Sequence, residues 1–330
     1  MSDTPLRIGV LGAARIAPLA LIRPARKVPG VLVAAIAARD RRRAEAFAAR
    51  HGIPAVHDSY ADLVADPSLD AVYVPLPNAL HAEWTLRALE AGKHVLCEKP
   101  LTANQAEARQ VAEAAEASGL VVMEAFHYRY HPLAERLRCI VTQELGPVRL
   151  VETSNCFPLP VFSDIRYDFD LGGGALMDAG CYAVHAARLL VGEDPRVVSA
   201  RATTLRRDPR VDRAMTAELA FPSGARGRIT TSLCSWRLLS LRARVVGEQG
   251  ELRVLNYTQP QPRVPHRIWV RTERGVRRER VFGAATYTHQ LQAFRDAVRD
   301  GAPVLTPAGD AVVTMGVIDD IYRAAGLPPR

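Results

Sequence analysis

A chain of 330 residues is longer than one hydrophobic core usually organises, so two domains are expected. Its hydrophobic share of 48% and charged share of 24% are those of a folded globular protein and argue against disorder or a fibre. No apolar run reaches membrane-spanning length, residues 1–7 lack the basic and apolar stretches of a secretory signal, and a net charge of +8 is met as readily by a small phosphate-bearing partner as by nucleic acid; neither membrane nor nucleic acid is an expected partner, and the cytoplasm is the expected location.

From residue 6 to residue 124, short apolar runs alternate with helical patterns, the signature of βαβ units and a parallel sheet. Strands are predicted at 7–11, 31–37, 55–57, 71–75, 94–97 and 120–123, with helices at 41–51, 80–91 and 105–117. After residue 125 the texture changes. A triple glycine, Gly172-Gly173-Gly174, precedes a predicted helix at 175–191, and period-two strands follow at 197–204, 214–221, 226–233 and 241–246. Residues 271–280 read as an exposed basic hairpin, and helices at 287–300 and 308–325 close the chain. The expected fold is α/β: an N-terminal doubly wound Rossmann sheet over 1–125, then an α+β domain over 126–330 with an open, mostly antiparallel sheet. The last helix is free to pack back on the first domain. Five scattered cysteines show no paired spacing, and His81, His127 and His131 show no metal-ligand spacing, so no metal is expected.

The first strand runs into Gly12-Ala13-Ala14-Arg15-Ile16-Ala17, where a dinucleotide pyrophosphate would meet the next helix. Small residues there let backbone N–H groups approach the phosphates. The match to G-x-G-x-x-G/A is imperfect, with Ala14 in the second glycine position and Ala17 in the third. At the end of the second strand stand Arg39 and Asp40, followed by Arg43 one helical turn on. An acidic residue there holds the ribose diol of NAD, and an arginine accommodates the extra phosphate of NADP. Arg39 and Arg43 favour NADP, with NAD possible; the plainer reading is a basic cluster facing water.

Val95-Leu96-Cys97-Glu98-Lys99-Pro100-Leu101 lies at the carboxyl end of the fifth strand, where open parallel sheets bind ligands. In that place it resembles the signature of the glucose-fructose oxidoreductase, inositol dehydrogenase and rhizopine-catabolism family (Gfo/Idh/MocA). Residues 73–81, with Leu76, Pro77, Asn78 and His81, resemble that family's loop beside the nicotinamide. Residues 123–132 resemble its domain crossing, and 171–182 the motif supplying its catalytic helix. The resemblance spans residues 7–190 by motif and is one of general pattern beyond. It implies an NAD(P)-dependent dehydrogenase or reductase of CH–OH groups in a sugar, polyol or dihydrodiol, and a homodimer or homotetramer. It also implies that Leu76, Pro77, Asn78, His81, Glu98 and Lys99 face the cofactor. Many members have histidine where this chain has Tyr182. The tyrosine form, like Ala38-Arg39-Asp40, is similar to the branch with glucose-fructose oxidoreductase, dimeric dihydrodiol dehydrogenase and NADP-dependent xylose dehydrogenase.

The residues also make chemical sense by themselves. Asp178 and Tyr182 are an i, i+4 pair that a helix puts on one face. Oxidising an alcohol needs hydride removal from carbon and a positioned base for the hydroxyl proton. Tyr182 is the candidate acid/base, and a nearby ammonium would favour its phenolate. Lys99 is the candidate ammonium, Asp178 the residue that holds Lys99 or a substrate hydroxyl, and Arg166 a further substrate contact. Each has a plain structural alternative: Lys99 as a surface lysine, Tyr182 as a packing residue. His185, one turn beyond Tyr182, reads better as structural than as a substitute acid/base. A catalytically silent NADP-binding sensor of the same fold is the alternative function, and an elimination using bound NAD transiently is a third.

Overall fold

The computed structural model describes residues 4–235, 239–262, 264 and 266–330. The chain divides into two compact units. The first holds residues up to Thr102, Ala106–Tyr130 and Tyr287–Val312; the second holds Ala103–Gln105, His131–Thr286 and Val313–Arg330.

In the first unit the strands are β1 (Leu6–Leu11), β2 (Val31–Ala37), β3 (Ala55–His57), β4 (Ala71–Val74), β5 (His94–Cys97) and β6 (Val122–Glu124). They pair in parallel in the order β3-β2-β1-β4-β5-β6. This is the Rossmann order, and the direction of winding reverses between β1 and β4, which opens a crevice at the carboxyl ends of those strands. Successive side chains alternate between faces. Ile8, Val10, Tyr73, Leu96 and Met123 form one apolar cluster with Tyr287, Leu291 and Phe294 of the helix Thr286–Asp300. Val72, Val74, Val95, Cys97 and Val122 form a second with Leu63, Ala88, Leu89 and Val111. Both faces are therefore covered, which is why these strands are apolar throughout. Tyr287, Leu291 and Phe294 make one helical stripe, so the last part of the chain completes a core begun by the first.

In the second unit eight strands form one sheet. They are β7 (Val148–Cys156), β8 (Arg196–Thr204), β9 (Asp212–Ala220), β10 (Arg226–Ser232), β11 (Ser240–Gly247), β12 (Gly250–Leu255), β13 (Arg267–Thr272) and β14 (Gly275–Glu279), in the order β14-β13-β12-β11-β7-β10-β9-β8. Only the β7–β10 pair is parallel among these neighbours. Alternation again decides the faces: in β10, Ile229 and Thr231 are buried while Arg226 and Arg228 are exposed. Threonines tie the helical segment to the covered face, Thr231 Oγ1 donating to Ala175 O at 2.9 Å and Thr153 Oγ1 to Ala183 O at 2.8 Å. The other face carries charge, with Glu251 accepting from Arg244, Arg253 and Arg271.

Several predicted bounds move. The expected helix at 175–191 opens as a wide π-helical turn, Leu176–Gly180, before the α-helix Cys181–Val191. The strand expected at 120–123 is Val122–Glu124, and the helix expected at 80–91 is His81–Glu90 behind a tight turn, Asn78–Leu80. Several elements were not among those expected, including the helices Tyr60–Ala65 and Pro132–Glu144 and the strands β7, β12 and β13. The helix Pro132–Glu144 was nonetheless signalled, by the apolar stripe Leu133, Leu137, Ile140 and Val141, by Pro132 in its first position and by His131, whose Nδ1 accepts from Leu133 N–H at 3.1 Å. Among the described residues no helix is long and apolar enough to cross a membrane.

Candidate active site

Beyond β1 the chain turns at Gly12, whose φ of +100° lies in the region that favours glycine and whose N–H donates to Ala37 O at 2.7 Å. A Cβ there would stand 3.1 Å from Leu76 Cδ2 and 3.6 Å from the Tyr60 hydroxyl, so the loop passes close under both. Ala13, Ala14 and Ile16 are half-buried and Arg15 is exposed. Ala17 is fully buried in the core, fulfilling the close helix-to-sheet packing of the third small position.

At the end of β2, Asp40 caps the helix Arg41–His51 by accepting from Arg43 N–H at 3.3 Å. Arg43 Nη2 reaches back to Ala13 O at 3.3 Å, and Arg39 is exposed. The carboxylate is thus occupied at a helix cap while two guanidiniums flank the loop. Tyr60 completes this corner. Burial raises its phenol pKa, and the charges of Arg39 and Arg43 and the Arg39 backbone N–H pull it back. Its role was not foreseen, because a tyrosine opening a short helix carries no motif. These small residues, the close backbone approach and the guanidiniums fit a phosphorylated dinucleotide.

His81 was expected to line the cofactor pocket. It is fully buried, with Nδ1 2.7 Å from Pro100 O and Nε2 2.8 Å from Leu76 O. It ties the loop after β4 to the loop after β5, and burial lowers its pKa. Leu76, Pro77 and Asn78 remain half-buried at the surface of that first loop. After β5, Glu98 N–H donates to Val74 O at 3.1 Å, and the hydroxyl of the buried Tyr73 donates to Glu98 Oε1 at 2.6 Å. Leu101 N–H donates to Glu124 Oε1 at 2.9 Å. Lys99, half-buried, is held between these anchored neighbours. Its charge is felt by His127, whose pKa is pushed down to about 3, first by burial and then by Lys99. The His127 ring stacks on Tyr287 with centroids 4.1 Å apart.

In the second unit the triple glycine is strapped to the segment before it. Gly173 N–H donates to Asp168 O at 2.7 Å and Gly174 N–H to Arg166 O at 2.8 Å. A Cβ on Gly173 would lie 2.5 Å from Asp168 O, so only glycine fits. Arg166 then bridges two carboxylates, its Nε donating to Asp178 Oδ2 at 3.0 Å and its Nη1 to Asp164 Oδ1 at 3.1 Å. Asp178 is the larger cause of the raised Arg166 pKa. The structure therefore brings Arg166 and Asp178 together, and Asp164, which sequence reasoning missed, joins them from a turn it also caps. Asp178 lies within the π-helical turn and Tyr182 one residue into the α-helix, with 9% of Tyr182 exposed. His185 is buried.

Residues 6–126 match the family model described as an oxidoreductase family with NAD-binding Rossmann fold (GFO/IDH/MocA), and residues 135–253 match the GFO/IDH/MocA C-terminal domain. The chain is 41% identical, over 97% of each, to the D-xylose 1-dehydrogenase (NADP(+)) 2 of Haloferax volcanii. The chain belongs to the GFO/IDH/MocA oxidoreductase family. As a member it is 32% identical to the trans-1,2-dihydrobenzene-1,2-diol dehydrogenase of Oryctolagus cuniculus over 89% of this chain and 91% of that one. A 3-ketoreductase from Actinomadura kijaniata, solved with NADP and TDP-benzene, superposes with a TM-score of 0.90 at 30% identity, covering 97% of this chain and 98% of that one. The resemblance read from the motifs is thereby shown, as is the Rossmann sheet followed by a mostly antiparallel one.

Proposed function

We propose that this oxidoreductase uses NADP to interconvert a hydroxyl and a carbonyl on a sugar or a sugar-like diol. The observation that carries the substrate class is the 41% identity, over nearly the whole chain, to an enzyme named for D-xylose and NADP. The coenzyme choice is supported by the corner at the end of β2, where Asp40 is engaged at its helix cap, Arg39 is exposed, and Arg43 sits against the loop through Ala13 O with its remaining N–H donors available to a 2′-phosphate. When bound, the nicotinamide supplies the hydride acceptor or donor.

The chain's own residues handle the proton. Tyr182 takes the hydroxyl proton in oxidation and returns it in reduction; a free phenol, with a pKa of about 10, needs help to do so at neutral pH. Lys99 supplies that help by favouring the phenolate, and it donates a hydrogen bond to the substrate oxygen. Asp178, held by Arg166, orients a substrate hydroxyl, and Arg166 contributes a donor of its own. Gly12, Ala13, Ala14, Arg15 and Ile16 receive the pyrophosphate, with Leu76, Pro77, Asn78 and Glu98 toward the nicotinamide side. His81 acts through the two loops it joins. All five cysteines are free thiols, which suits a reducing cytoplasm. We further propose a homodimer or homotetramer.

Steady-state assays over a panel of aldoses, polyols and diols, followed at the NADPH absorbance band, test this reading. Turnover with a sugar or diol, faster with NADP than with NAD, is expected. Tight NADPH binding without turnover of any member would replace it with a sensor.

A further inference from the structure

The helical segment that carries Asp178 and Tyr182 begins without a cap of its own. Ala175 precedes the turn Leu176–Gly180 and offers no side-chain acceptor. The first N–H groups of a helical segment have no partner within it and must find one elsewhere. Here Leu176 N–H donates, at 2.7 Å, to Oδ2 of Asp212, a fully buried residue at the start of β9. An anion at a helix N-terminus is favourable, but a buried carboxylate is costly unless it is paired.

Arg330 supplies the pairing. Its Nη2 donates to Asp212 Oδ1 at 3.0 Å, with 1% of the arginine side chain and none of the aspartate side chain exposed. Its Nε donates at 2.6 Å to the carbonyl of Gly173. One planar guanidinium therefore holds both the glycine loop and the cap of the following turn, a geometry that a single ammonium cannot reproduce. The guanidinium lies over the rings of Tyr322 and Phe169, with centroid distances of 4.1 and 4.9 Å. The Tyr322 hydroxyl adds a 2.9 Å bond to Asp212 Oδ1, and Asn104 Nδ2 holds the Arg330 carbonyl at 2.9 Å. Gly174, with φ of +139°, is enclosed by this group: a Cβ would press on Asp212 Oδ1, and would lie 2.7 Å from both Arg330 Nη2 and the Tyr322 hydroxyl.

We propose that Arg330 is a positioning residue for the reaction, setting through Asp212 and Gly173 the start of the helical segment that presents Tyr182. The inference rests on the assignment of Tyr182 as acid/base. Nothing in the motifs at 95–101 or 171–182 points to it, because the clamp joins residues more than a hundred positions apart.

The test uses the full chain with Arg330→Ala and Arg330→Lys, each made also in a Tyr182→Phe background. NADP with D-xylose, or the fastest sugar of the panel, is the probe. Arg330→Ala is expected to lower kcat about 30-fold with the NADPH dissociation constant within about twofold, and Arg330→Lys to fall between it and the parent. Guanidinium chloride at tens of millimolar is expected to restore part of the kcat of Arg330→Ala. In the Tyr182→Phe background the same substitution should cost little more, since a residue that acts through Tyr182 has nothing left to position. Hydrogen–deuterium exchange gives a readout apart from turnover: amides of residues 174–182 should exchange faster in Arg330→Ala, with those of β1 and β4 unchanged. Undiminished kcat, unchanged exchange at 174–182, or a loss that persists in full in the Tyr182→Phe background would each overturn the inference. Should Arg330→Ala fail to fold, Tyr322→Phe, which removes one bond to Asp212 and keeps the ring, is expected to give a several-fold loss with the same background dependence. Full turnover by Tyr182→Phe alone would instead overturn the acid/base assignment itself.

Discussion

Arg166 and Asp178 form a bridge in which Nε lies 3.0 Å from Oδ2, and the bridge fixes the carboxylate that we propose meets the substrate. Only 15% of the Asp178 side chain is exposed, so removing Arg166 takes a charge-assisted hydrogen bond from a largely desolvated carboxylate. Arg166→Ala is expected to lower kcat/KM by about 10²-fold, equivalent to roughly 2.7 kcal/mol. Arg166→Lys should recover part of this, because an ammonium can meet Asp178 or Asp164 but does not span both as a guanidinium fork does. Steady-state kinetics on the two variants check the order; equal rates for alanine and lysine would show that the bridge does not matter to turnover.

Lys99→Ala should cost about 10³-fold in kcat while NADPH still binds. The same variant has a spectroscopic consequence. His127 is held at a pKa of about 3 by burial first and by the Lys99 charge second. Removing that charge should raise the His127 pKa, yet leave it below 6.5 because burial persists. An NMR titration of the ring reads this directly, and no movement would mean that the ammonium does not reach His127.

Arg39→Ala is expected to weaken NADPH by about tenfold or more and NADH by less than about twofold, since only the former carries a phosphate for the guanidinium to meet. Fluorescence titration with each coenzyme distinguishes the outcomes. Equal losses would assign the arginine a general electrostatic role and remove the basis for the coenzyme choice.

Acid stability offers a prediction independent of catalysis. Glu279, 19% exposed, is held at a pKa of about 2, chiefly by the Arg136 hydrogen bonds, with Arg277 as a second partner. Its ordinary value is 4.5, so the folded state binds this proton less tightly than the unfolded one. The stabilisation is therefore fully present above about pH 4.5 and is lost as the pH falls toward 2. Allowing for solvent around Arg136, about 1–2 kcal/mol is expected. Urea denaturation at pH 7 and at pH 3 captures the larger part of it, and Glu279→Gln should flatten the difference between those two pH values by about 1 kcal/mol.

The Rossmann half was almost wholly legible in the residues. Strands such as Ala71–Val74 are apolar because both faces are covered, helices end at glycines, and both signals are local in the chain. The second sheet was legible in β8 to β11 through alternation, and less so in β7, whose polar residues include Thr153, there to hold the helical segment above it.

What the residues determined unaided was the set of chemical groups and the strand or helix end on which each is borne: Gly12, Arg39, Lys99, Asp178, Tyr182. Only the tertiary structure decided which of them are already engaged. It assigned Asp40 to a helix cap, His81 to two loop carbonyls and Asp178 to Arg166, and it brought Arg330 to Asp212. The physical reason is range. Propensity and periodicity act over a few residues, whereas hydrogen-bond partners for buried polar groups are found wherever packing delivers them, often from the far end of the chain.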